Sequence, residues 1–250
     1  MATDTTALIT GAGSGIGRCF AETLARQGTN LILTDVDASG LEATAAAVRQ
    51  HPGRVTTAVV DVAKPEQLAQ VLTAHERVDL LINCAAILGG GPWITQPPEV
   101  FERVVQVDLL GTVNTIRAAL PCLRRAGGHI VVLASTAALH GWPHLAAYSA
   151  AKFGLVGFCE GIRAELMAEG VGLTMVFPLL IDTPLLSRPG TPPILQRGRR
   201  LPPDVVVRKV LRAVARRQRR VYIPGTVRVI AALHALAPSL LDWYGARFGR

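Results

Sequence analysis

A tyrosine and a lysine four residues apart are the side chains in this sequence best suited to acid–base chemistry. Tyr148 and Lys152 fall within a helical stretch, so they share one face of the helix. A free tyrosine ionises at about pH 10, but a neighbouring ammonium group favours the phenolate and lowers the pKa of the hydroxyl. Ser135 precedes Tyr148 by 13 residues and follows a predicted strand. These residue types at this spacing make Tyr148, Lys152 and Ser135 candidates for a proton-transfer site.

A glycine-rich segment joins the first predicted strand to the first predicted helix. It reads Thr10-Gly11-Ala12-Gly13-Ser14-Gly15-Ile16-Gly17. Glycines at such a turn let the backbone approach a pyrophosphate, and the N-terminus of the next helix offers free N–H groups. Asp35 ends the second strand about 20 residues later, where a carboxylate can accept hydrogen bonds from ribose hydroxyls. A carboxylate there repels a 2′-phosphate, so we predict NAD rather than NADP; Arg18, the nearest cation, lies inside the helix.

Short apolar runs alternate with helical stretches along most of the chain. Strands are predicted at Ala7–Thr10, Asn30–Thr34, Val55–Val60, Leu80–Asn83, Ile130–Ala134, Leu173–Phe177 and Val221–Ile223. Helices are predicted at Ile16–Gln27, Leu41–Gln50, Pro65–His75, Pro98–Arg125 and Tyr148–Glu169, and after Pro203. The alternation predicts a single α/β domain, in which right-handed crossovers give a doubly wound, Rossmann-like parallel sheet with helices on both faces.

The composition argues against several other classes of protein. Half of the 250 residues are apolar, which is enough for one buried domain. The four cysteines form neither a C-x-x-C pair nor a zinc pattern, so we expect reduced thiols and no metal site. The residues before Thr6 hold no basic segment followed by an apolar stretch, and no run is long enough to span a bilayer. A cytoplasmic protein is therefore expected.

The ordered set of motifs resembles the short-chain dehydrogenase/reductase family over about residues 5–225. Besides the segments above, it includes Asp61-Val62, Asn83-Cys84-Ala85-Ala86 and Pro178 with Thr183. The resemblance implies a seven-stranded parallel sheet, a homodimer or homotetramer, and an oxidoreductase that acts on a CH–OH group with a nicotinamide cofactor. Residues 226–250 would then be a C-terminal extension beyond the family core.

The resemblance also implies roles for individual residues. Tyr148 would be the general acid/base, Lys152 would hold the nicotinamide ribose and lower the pKa of Tyr148, and Ser135 would hydrogen-bond the substrate oxygen. Asp61 and Val62 would meet the adenine, Asn83 would fix the centre of the cofactor, and Ile181 and Thr183 would bond the carboxamide. The complete implied cofactor-binding set is Gly11, Ser14, Gly15, Ile16, Gly17, Asp35, Asp61, Val62, Asn83, Tyr148, Lys152, Ile181 and Thr183.

The chain departs from the usual family pattern at three positions. Asp108, within Val107–Gly111, stands where the family has an asparagine that completes a proton relay, so Asp108 joins the predicted catalytic set. Its backbone carbonyl would conserve the relay, whereas its carboxylate near Lys152 would alter the titration of the tyrosine. Leu179 replaces a glycine after the sixth strand and adds bulk near the nicotinamide, and Ala86 replaces another glycine.

Three segments are expected to face the nicotinamide, namely Ile87–Ile94, Ala137–Ala147 and the loop from Leu179 onward. Within that loop, the irregular stretch Leu185–Pro203 is interpreted as a lid or loop over the site. Their side chains are mostly apolar, which predicts a hydrophobic secondary alcohol or its ketone, of terpenoid, steroid-like or acyl-derived type, with oxidation favoured by NAD. An interpretation of these residues as core or interface stays open, as do an NADPH-type ketoreductase and a non-catalytic cofactor sensor. The apolar members are Ile87, Leu88, Trp93, Leu139, Trp142, Leu145, Leu179, Leu180, Leu185 and Leu186, and the polar exceptions are His140, His144 and Arg188.

The C-terminal quarter is strongly basic. Residues 188–250 carry 14 basic and 2 acidic side chains, whereas residues 1–187 carry 12 and 16. The helix after Pro203 has one apolar and one basic face. Three interpretations compete: packing on the domain or a second subunit, peripheral contact with an anionic membrane, and nucleic-acid binding, which no base-reading motif supports. After Gly225 a second apolar stripe comprises Val229, Ile230, Leu233, Leu236, Leu240, Leu241, Tyr244 and Phe248.

Overall fold

A parallel β-sheet of seven strands forms the centre of the computed structural model, which describes residues 5–187, 191–196 and 198–248. The strands are β1 (Thr6–Thr10), β2 (Asn30–Asp35), β3 (Val55–Val59), β4 (Leu80–Asn83), β5 (His129–Leu133), β6 (Gly172–Pro178) and β7 (Arg220–Ile223). The helices are α1 (Gly15–Ala25), α2 (Ala38–Val48), α3 (Pro65–Leu72), α4 (Pro98–Val104), α5 (Gly111–Ala126), α6 (Ala146–Gly161), α7 (Arg163–Ala168), α8 (Pro193–Gln196), α9 (Pro203–Ala215), α10 (Val227–Leu236) and α11 (Pro238–Phe248).

The strand order is β3-β2-β1-β4-β5-β6-β7, and each neighbouring pair is parallel. The chain winds outward from β1 to β3 and then crosses back to β4 on the other side of β1. Ligands of such sheets bind at the carboxyl ends of the strands where the winding reverses. The register brings Thr10 level with Thr34 of β2 and Asn83 of β4, so the ends of these strands meet at one edge.

Helices cover both faces of the sheet, because alternate strand residues point to opposite sides. Leu8 of β1 packs in a cluster with buried residues of α3, α5 and α6. Its neighbours Ala7 and Ile9 pack in a second cluster with α1, α2 and α9. The predicted doubly wound, single-domain α/β fold is therefore confirmed.

Two predicted helices are interrupted in the structure. The stretch Pro98–Arg125 consists of α4, a π-helical segment at Val105–Leu110, and α5. The stretch Tyr148–Glu169 begins earlier, at Ala146, and breaks at Ile162 between α6 and α7. Apolar periodicity continues through a wide turn that adds one residue, so the sequence pattern does not reveal the π segment. That segment carries Asp108.

The two last helices, α10 and α11, pack beside the loop that follows β5. Val227 of α10 is buried in the cluster that contains α5 and α6. His234 of α10 lies 3.4 Å from His140, measured between their Nδ1 atoms. Within the described ranges, none of the helices is both long and apolar enough to cross a membrane.

Candidate active site

The glycine-rich loop turns the chain sharply from β1 into α1. Gly11 has a φ of +66°, and a Cβ at this position would lie 2.7 Å from the backbone nitrogen of Ala85. A Cβ at Gly17 would lie 2.1 Å from the carbonyl oxygen of Gly11. A side chain at Gly11 would therefore push the end of β1 away from the segment that follows β4. A side chain at Gly17 would push α1 away from the glycine-rich loop. The turn leaves the N-terminus of α1 facing a cleft of about 170 Å³, where an anionic group is stabilised by the helix dipole.

Asp35 lies on the same cleft, at the end of β2. Its Oδ2 accepts a hydrogen bond from the Gly13 amide at 2.8 Å, and its Oδ1 accepts one from the Asp37 amide at 3.0 Å. The carboxylate thus fixes the glycine-rich loop while it lines the cleft. Arg18, the cation considered for an NADP site, is paired with Glu22 at 2.8 Å on the surface of α1.

Asp61 and Val62 also line this cleft, just after β3. Asp61 forms an ion pair with Arg103 of α4 at 2.8 Å. Burial raises the pKa of the Asp61 carboxyl, but the Ala63 amide and the Arg103 guanidinium outweigh burial and hold the pKa below its usual value. Arg103 was not among the predicted site residues, because a lone arginine inside a helical stretch carries no recognisable signal.

Asn83, by contrast, lies buried behind the cleft at the end of β4. Its side-chain Nδ2 has no hydrogen-bond partner among the described residues, although an unsatisfied buried amide is costly. This orphaned donor and the glycine-lined approach to the helix N-terminus both fit a bound dinucleotide. The cleft brings together most of the predicted cofactor-binding residues, namely Gly11, Ser14, Gly15, Ile16, Gly17, Asp35, Asp61, Val62 and Thr183.

Ser135, Tyr148 and Lys152 meet beyond the carboxyl end of β5. Ser135 caps a short 3₁₀ turn, with its Oγ accepting a hydrogen bond from the Ala137 amide at 3.1 Å. Tyr148 is in the first turn of α6, with its hydroxyl close enough to Ser135 for that side chain to act on its pKa. Lys152 follows one turn later, with its Nζ 5.4 Å from the centre of the tyrosine ring. The predicted spacing therefore brings all three side chains to one place.

Lys152 is held from the opposite side by Asp108. Its Nζ lies 3.1 Å from Oδ2 of Asp108 and donates to the Leu133 carbonyl at 3.2 Å. Oδ1 of Asp108 accepts a hydrogen bond from the Ile87 amide at 2.8 Å. Asp108 is fully buried, and the backbone carbonyl of this residue accepts a bond from Thr112. The extra carboxylate anticipated near Lys152 is therefore in direct contact with it.

The charges around Tyr148 act in opposite directions. Burial raises the pKa of the Tyr148 hydroxyl; Lys152 lowers it, Asp108 raises it, and the hydrogen bond with Ser135 lowers it, with a net shift upward. This direction is opposite to the lowering expected from Lys152 alone. Burial lowers the pKa of Lys152, but Asp108 and Tyr148 outweigh burial and raise it, so the lysine stays protonated.

A cavity of about 490 Å³ opens beside these three side chains. Ile181 and Thr183, predicted to bond the carboxamide, lie on its wall. Arg199 and Lys152 are the charged residues among the described part of the lining. Of the predicted pocket residues, the lining includes Leu88, Trp142, Leu145, Leu179, Leu180, Leu185 and Leu186.

Three of the predicted apolar pocket residues lie elsewhere. Ile87 lines the cofactor cleft rather than the cavity. Trp93 is 62% exposed and packs edge-on against Phe101. Leu139 is buried in the main core, because the 3₁₀ turn after Ser135 directs it toward the sheet. The position of a residue in the sequence of its segment does not determine whether its side chain points into the cavity, into the cofactor cleft, toward solvent or into the core.

The predicted polar pocket residues also stay off the lining. His140 is buried between His234, Trp142 and Asp242, whose carboxylate lies 3.9 Å from the His140 Nε2. His144 has a φ of +62° in the loop before α6 and does not line the cavity. Arg188 lies outside the described residues.

Residues from α10 and α11 complete the cavity wall. Ile230, Leu241 and Tyr244 all line it, although they follow the segments predicted to form the pocket. The sequence shows the apolar stripe after Gly225. It does not show which side of the helices faces the cavity. The described loop residues Leu186 and Leu195 also line the cavity, and the interpretation of this loop as a lid stays a prediction.

Known proteins are similar to this chain in sequence and in fold. A family model described as short chain dehydrogenase matches residues 5–191. Human estradiol 17-beta-dehydrogenase 11 is 32% identical over 240 residues, which cover 92% of this chain and 78% of that protein. Probable oxidoreductases of Mycobacterium are 38% identical over 193 residues, and the matched region spans 33% of their length and 75% of this chain.

Two solved structures extend the comparison to the whole fold. A Burkholderia phymatum short chain dehydrogenase/reductase in complex with NAD superimposes with a TM-score of 0.86 at 26% identity, covering 95% of each chain. A Sphingobium yanoikuyae short-chain dehydrogenase in complex with NADPH gives a TM-score of 0.82 at 27% identity, again over 95% of each chain. The fold is therefore that of short-chain dehydrogenases, of which one neighbour holds NAD and the other NADPH. This chain belongs to the short-chain dehydrogenase/reductase family.

Proposed function

We propose that this protein oxidises hydrophobic secondary alcohols to ketones with NAD. The observation that carries the proposal is that Ser135, Tyr148 and Lys152 share the wall of a cavity whose lining is mainly apolar. The cavity volume of about 490 Å³ suits a ligand of the size of a terpenoid, a steroid or an acyl derivative. An apolar cavity favours an apolar ligand, because binding then removes the apolar surface of both from water.

Proton transfer is the task of Tyr148 in this proposal. In the direction of oxidation its phenolate accepts the proton of the substrate hydroxyl. Ser135 Oγ accepts a hydrogen bond from the Ala137 amide. In this proposal its hydroxyl turns from Tyr148 to the substrate oxygen and donates its proton there. Lys152 supplies a fixed positive charge beside the phenolate. When bound, a nicotinamide dinucleotide supplies the hydride acceptor and, while oxidised, a positive ring that also favours the phenolate.

The preference for apolar substrates is tested by a series of secondary alcohols of increasing apolar length, with NAD as acceptor. We expect kcat/KM to rise about fourfold for each methylene that the cavity covers. Leu179→Asp, at a half-exposed position on the wall, should lower kcat/KM for the best substrate about tenfold or more, because the ligand would cover a carboxylate. Initial rates of NADH formation provide the measurement.

Met167→Asp is the matched control, since Met167 is exposed and lies away from this cavity. It should leave kcat/KM unchanged. Activity confined to sugars or small charged acids would disprove the proposed substrate class.

The preference for NAD rests on Asp35. Its carboxylate lies on the cofactor cleft, and a 2′-phosphate placed beside it would meet a like charge. Arg18 and Arg103, cations near the cleft, are already paired with Glu22 and Asp61. An NADPH-dependent ketoreductase is the alternative, since both cofactors occur in similar structures.

Asp35→Ser should reverse or weaken the cofactor preference. We expect the ratio of kcat/KM for NAD to that for NADP to fall about 100-fold, because both the ribose hydrogen bonds and the repulsion disappear. Asp37→Ser, two residues away, keeps a side chain able to cap α2 and should leave the ratio unchanged. A wild-type enzyme that prefers NADP would refute the assignment.

The homo-oligomeric state and the cytoplasmic location expected from the sequence stay predictions. So do the roles of the individual site residues. A non-catalytic cofactor sensor is the remaining alternative, and any turnover that depends on Tyr148 would exclude it.

A further inference from the structure

The hairpin α10–α11 presents apolar side chains to solvent as well as to the cavity. On α11, Leu240, Trp243 and Tyr244 share one helical face, and their exposed fractions are 56%, 64% and 46%. On α10, Val229 and Leu236 are 56% and 85% exposed. We call these five residues the outer stripe. Large exposed apolar residues concentrated on neighbouring elements commonly mark an interaction surface.

The same hairpin forms part of the cavity wall. Ile230 and Leu241 line the cavity from the inner side of α10 and α11, and Tyr244 belongs to both sets. The outer stripe is therefore separated from the proposed substrate cavity only by the hairpin itself. A ligand that leaves an apolar phase at the outer stripe would be near the cavity.

A basic cluster adjoins the outer stripe. Lys209 and Arg212 lie on α9 and Arg216 follows its last residue, and with Arg220 and Arg228 they surround a depression of about 180 Å³. Arg228 directly precedes Val229, so the cluster and the stripe share the start of α10. Arg220 is paired with Glu160.

Most of this positive charge is not locally neutralised. In the described part of the chain, none of the ion pairs involves Lys209, Arg212 or Arg216. The segment 188–250 as a whole carries 14 basic and 2 acidic residues. Such an excess on one surface attracts an extended anionic partner.

We propose that the outer stripe and the basic cluster together form a docking surface for an anionic lipid bilayer. Tryptophan and tyrosine suit the boundary between headgroups and acyl chains, while adjacent arginines suit anionic headgroups. This surface would let an apolar substrate pass between the bilayer and the cavity, and that consequence alone rests on the proposed function.

The charge pattern favours lipid over other occupants. Two copies that met through this surface would bring two basic clusters together, which costs free energy. A nucleic acid would satisfy the arginines but would leave the outer stripe exposed to water. A bilayer with anionic headgroups would pair with the basic cluster and would also cover the outer stripe with apolar acyl chains.

The test measures co-sedimentation of the full chain with vesicles of phosphatidylcholine alone or mixed with phosphatidylglycerol. We expect binding to the mixed vesicles at about 0.1 M salt and much weaker binding at about 1 M salt or without phosphatidylglycerol. Arg212→Glu/Arg216→Glu should weaken binding at least 50-fold, an estimate of about fivefold for each unit of charge with allowance for screening.

The apolar half of the surface is tested by Leu240→Ser/Trp243→Ser, which should weaken binding about tenfold or more. Leu236→Ser, at a position 85% exposed, gives a second apolar variant that does not disturb packing. The charge-matched control is Arg54→Glu/Arg117→Glu, which changes exposed arginines before β3 and on α5 and should bind as the wild type does. Thermal unfolding confirms that each variant is folded.

Three results would overturn the proposal. The first is the absence of binding by wild-type protein. The second is binding that both apolar variants leave unchanged, which would indicate general charge attraction. The third is a dimer, seen by sedimentation, that the apolar variants convert to a monomer while vesicles are not bound. Because vesicle binding is measured without turnover, inactivity toward apolar alcohols would refute the substrate class and leave this surface standing.

Discussion

Tyr148→Phe is expected to lower kcat for alcohol oxidation by about 10²–10⁴-fold, the usual contribution of a positioned general base. The variant loses one oxygen atom and keeps the ring that packs beside Lys152. Cofactor binding, measured by quenching of protein fluorescence or by thermal shift, should change little. The effect should therefore fall on kcat rather than on affinity for the dinucleotide.

The matched control for this change is Tyr222→Phe. Tyr222 stacks on Phe177 with ring centres 5.1 Å apart and is absent from the cavity lining. The same chemical change there should leave kcat within about twofold of the wild type, because it keeps the stacked ring and removes only a hydroxyl whose contact with Arg220 is exposed. Equal rates for wild type and Tyr148→Phe would rule out the proposed proton transfer.

The direction of the reaction gives an independent check on Tyr148. Oxidation requires the phenolate, and reduction requires the protonated hydroxyl. Because burial raises the pKa of Tyr148 above its ordinary value, the rate of oxidation should rise with pH through the alkaline range. The rate of ketone reduction should fall over the same range.

The strands and most helices could be predicted because their signals are local. β4 occupies the predicted residues Leu80–Asn83, and the other strands differ from prediction by a few residues at their ends. The π segment at Val105–Leu110 could not be predicted, since its apolar spacing matches that of an ordinary helix. Yet this segment decides where Asp108 lies.

The site residues that lie close to strand ends could also be predicted from the sequence. Ser135 and Asp35 follow directly from strands whose carboxyl ends meet at one edge. Ile230 and Leu241 reach the cavity from α10 and α11 through long-range packing, which local periodicity does not determine. The upward shift of the Tyr148 pKa could not be predicted from the sequence either, because it depends on the burial of the site and on the buried Asp108.

The second large effect is expected on stability, when Asp108 is replaced by alanine. Asp108→Ala removes the carboxylate 3.1 Å from Lys152 and leaves a buried ammonium without its counter-charge. Breaking a buried pair in this way costs about 3–5 kcal/mol of unfolding free energy. Urea unfolding monitored by circular dichroism would measure it. Glu22→Ala, which breaks the exposed pairs with Arg18 and Arg26, should cost less than about 1 kcal/mol.

Asp108→Asn separates the charge of this residue from its hydrogen bonding. An asparagine keeps an oxygen for the Ile87 amide, so the loss of stability should be smaller than in Asp108→Ala. If Asp108→Asn lost as much unfolding free energy as Asp108→Ala, the hydrogen bond from the Ile87 amide would not contribute to stability.

The charge itself should appear in the pH profile of Asp108→Asn. The carboxylate raises the pKa of Tyr148, and the other groups facing the phenol, Lys152 and Ser135, lower it. Removing the carboxylate should therefore move the alkaline limb of oxidation to lower pH, provided that Lys152 stays protonated. A purely structural role would reduce stability and leave that limb in place. A shift to higher pH would mean that Asp108 acts mainly by keeping Lys152 charged, because burial alone lowers the pKa of this lysine.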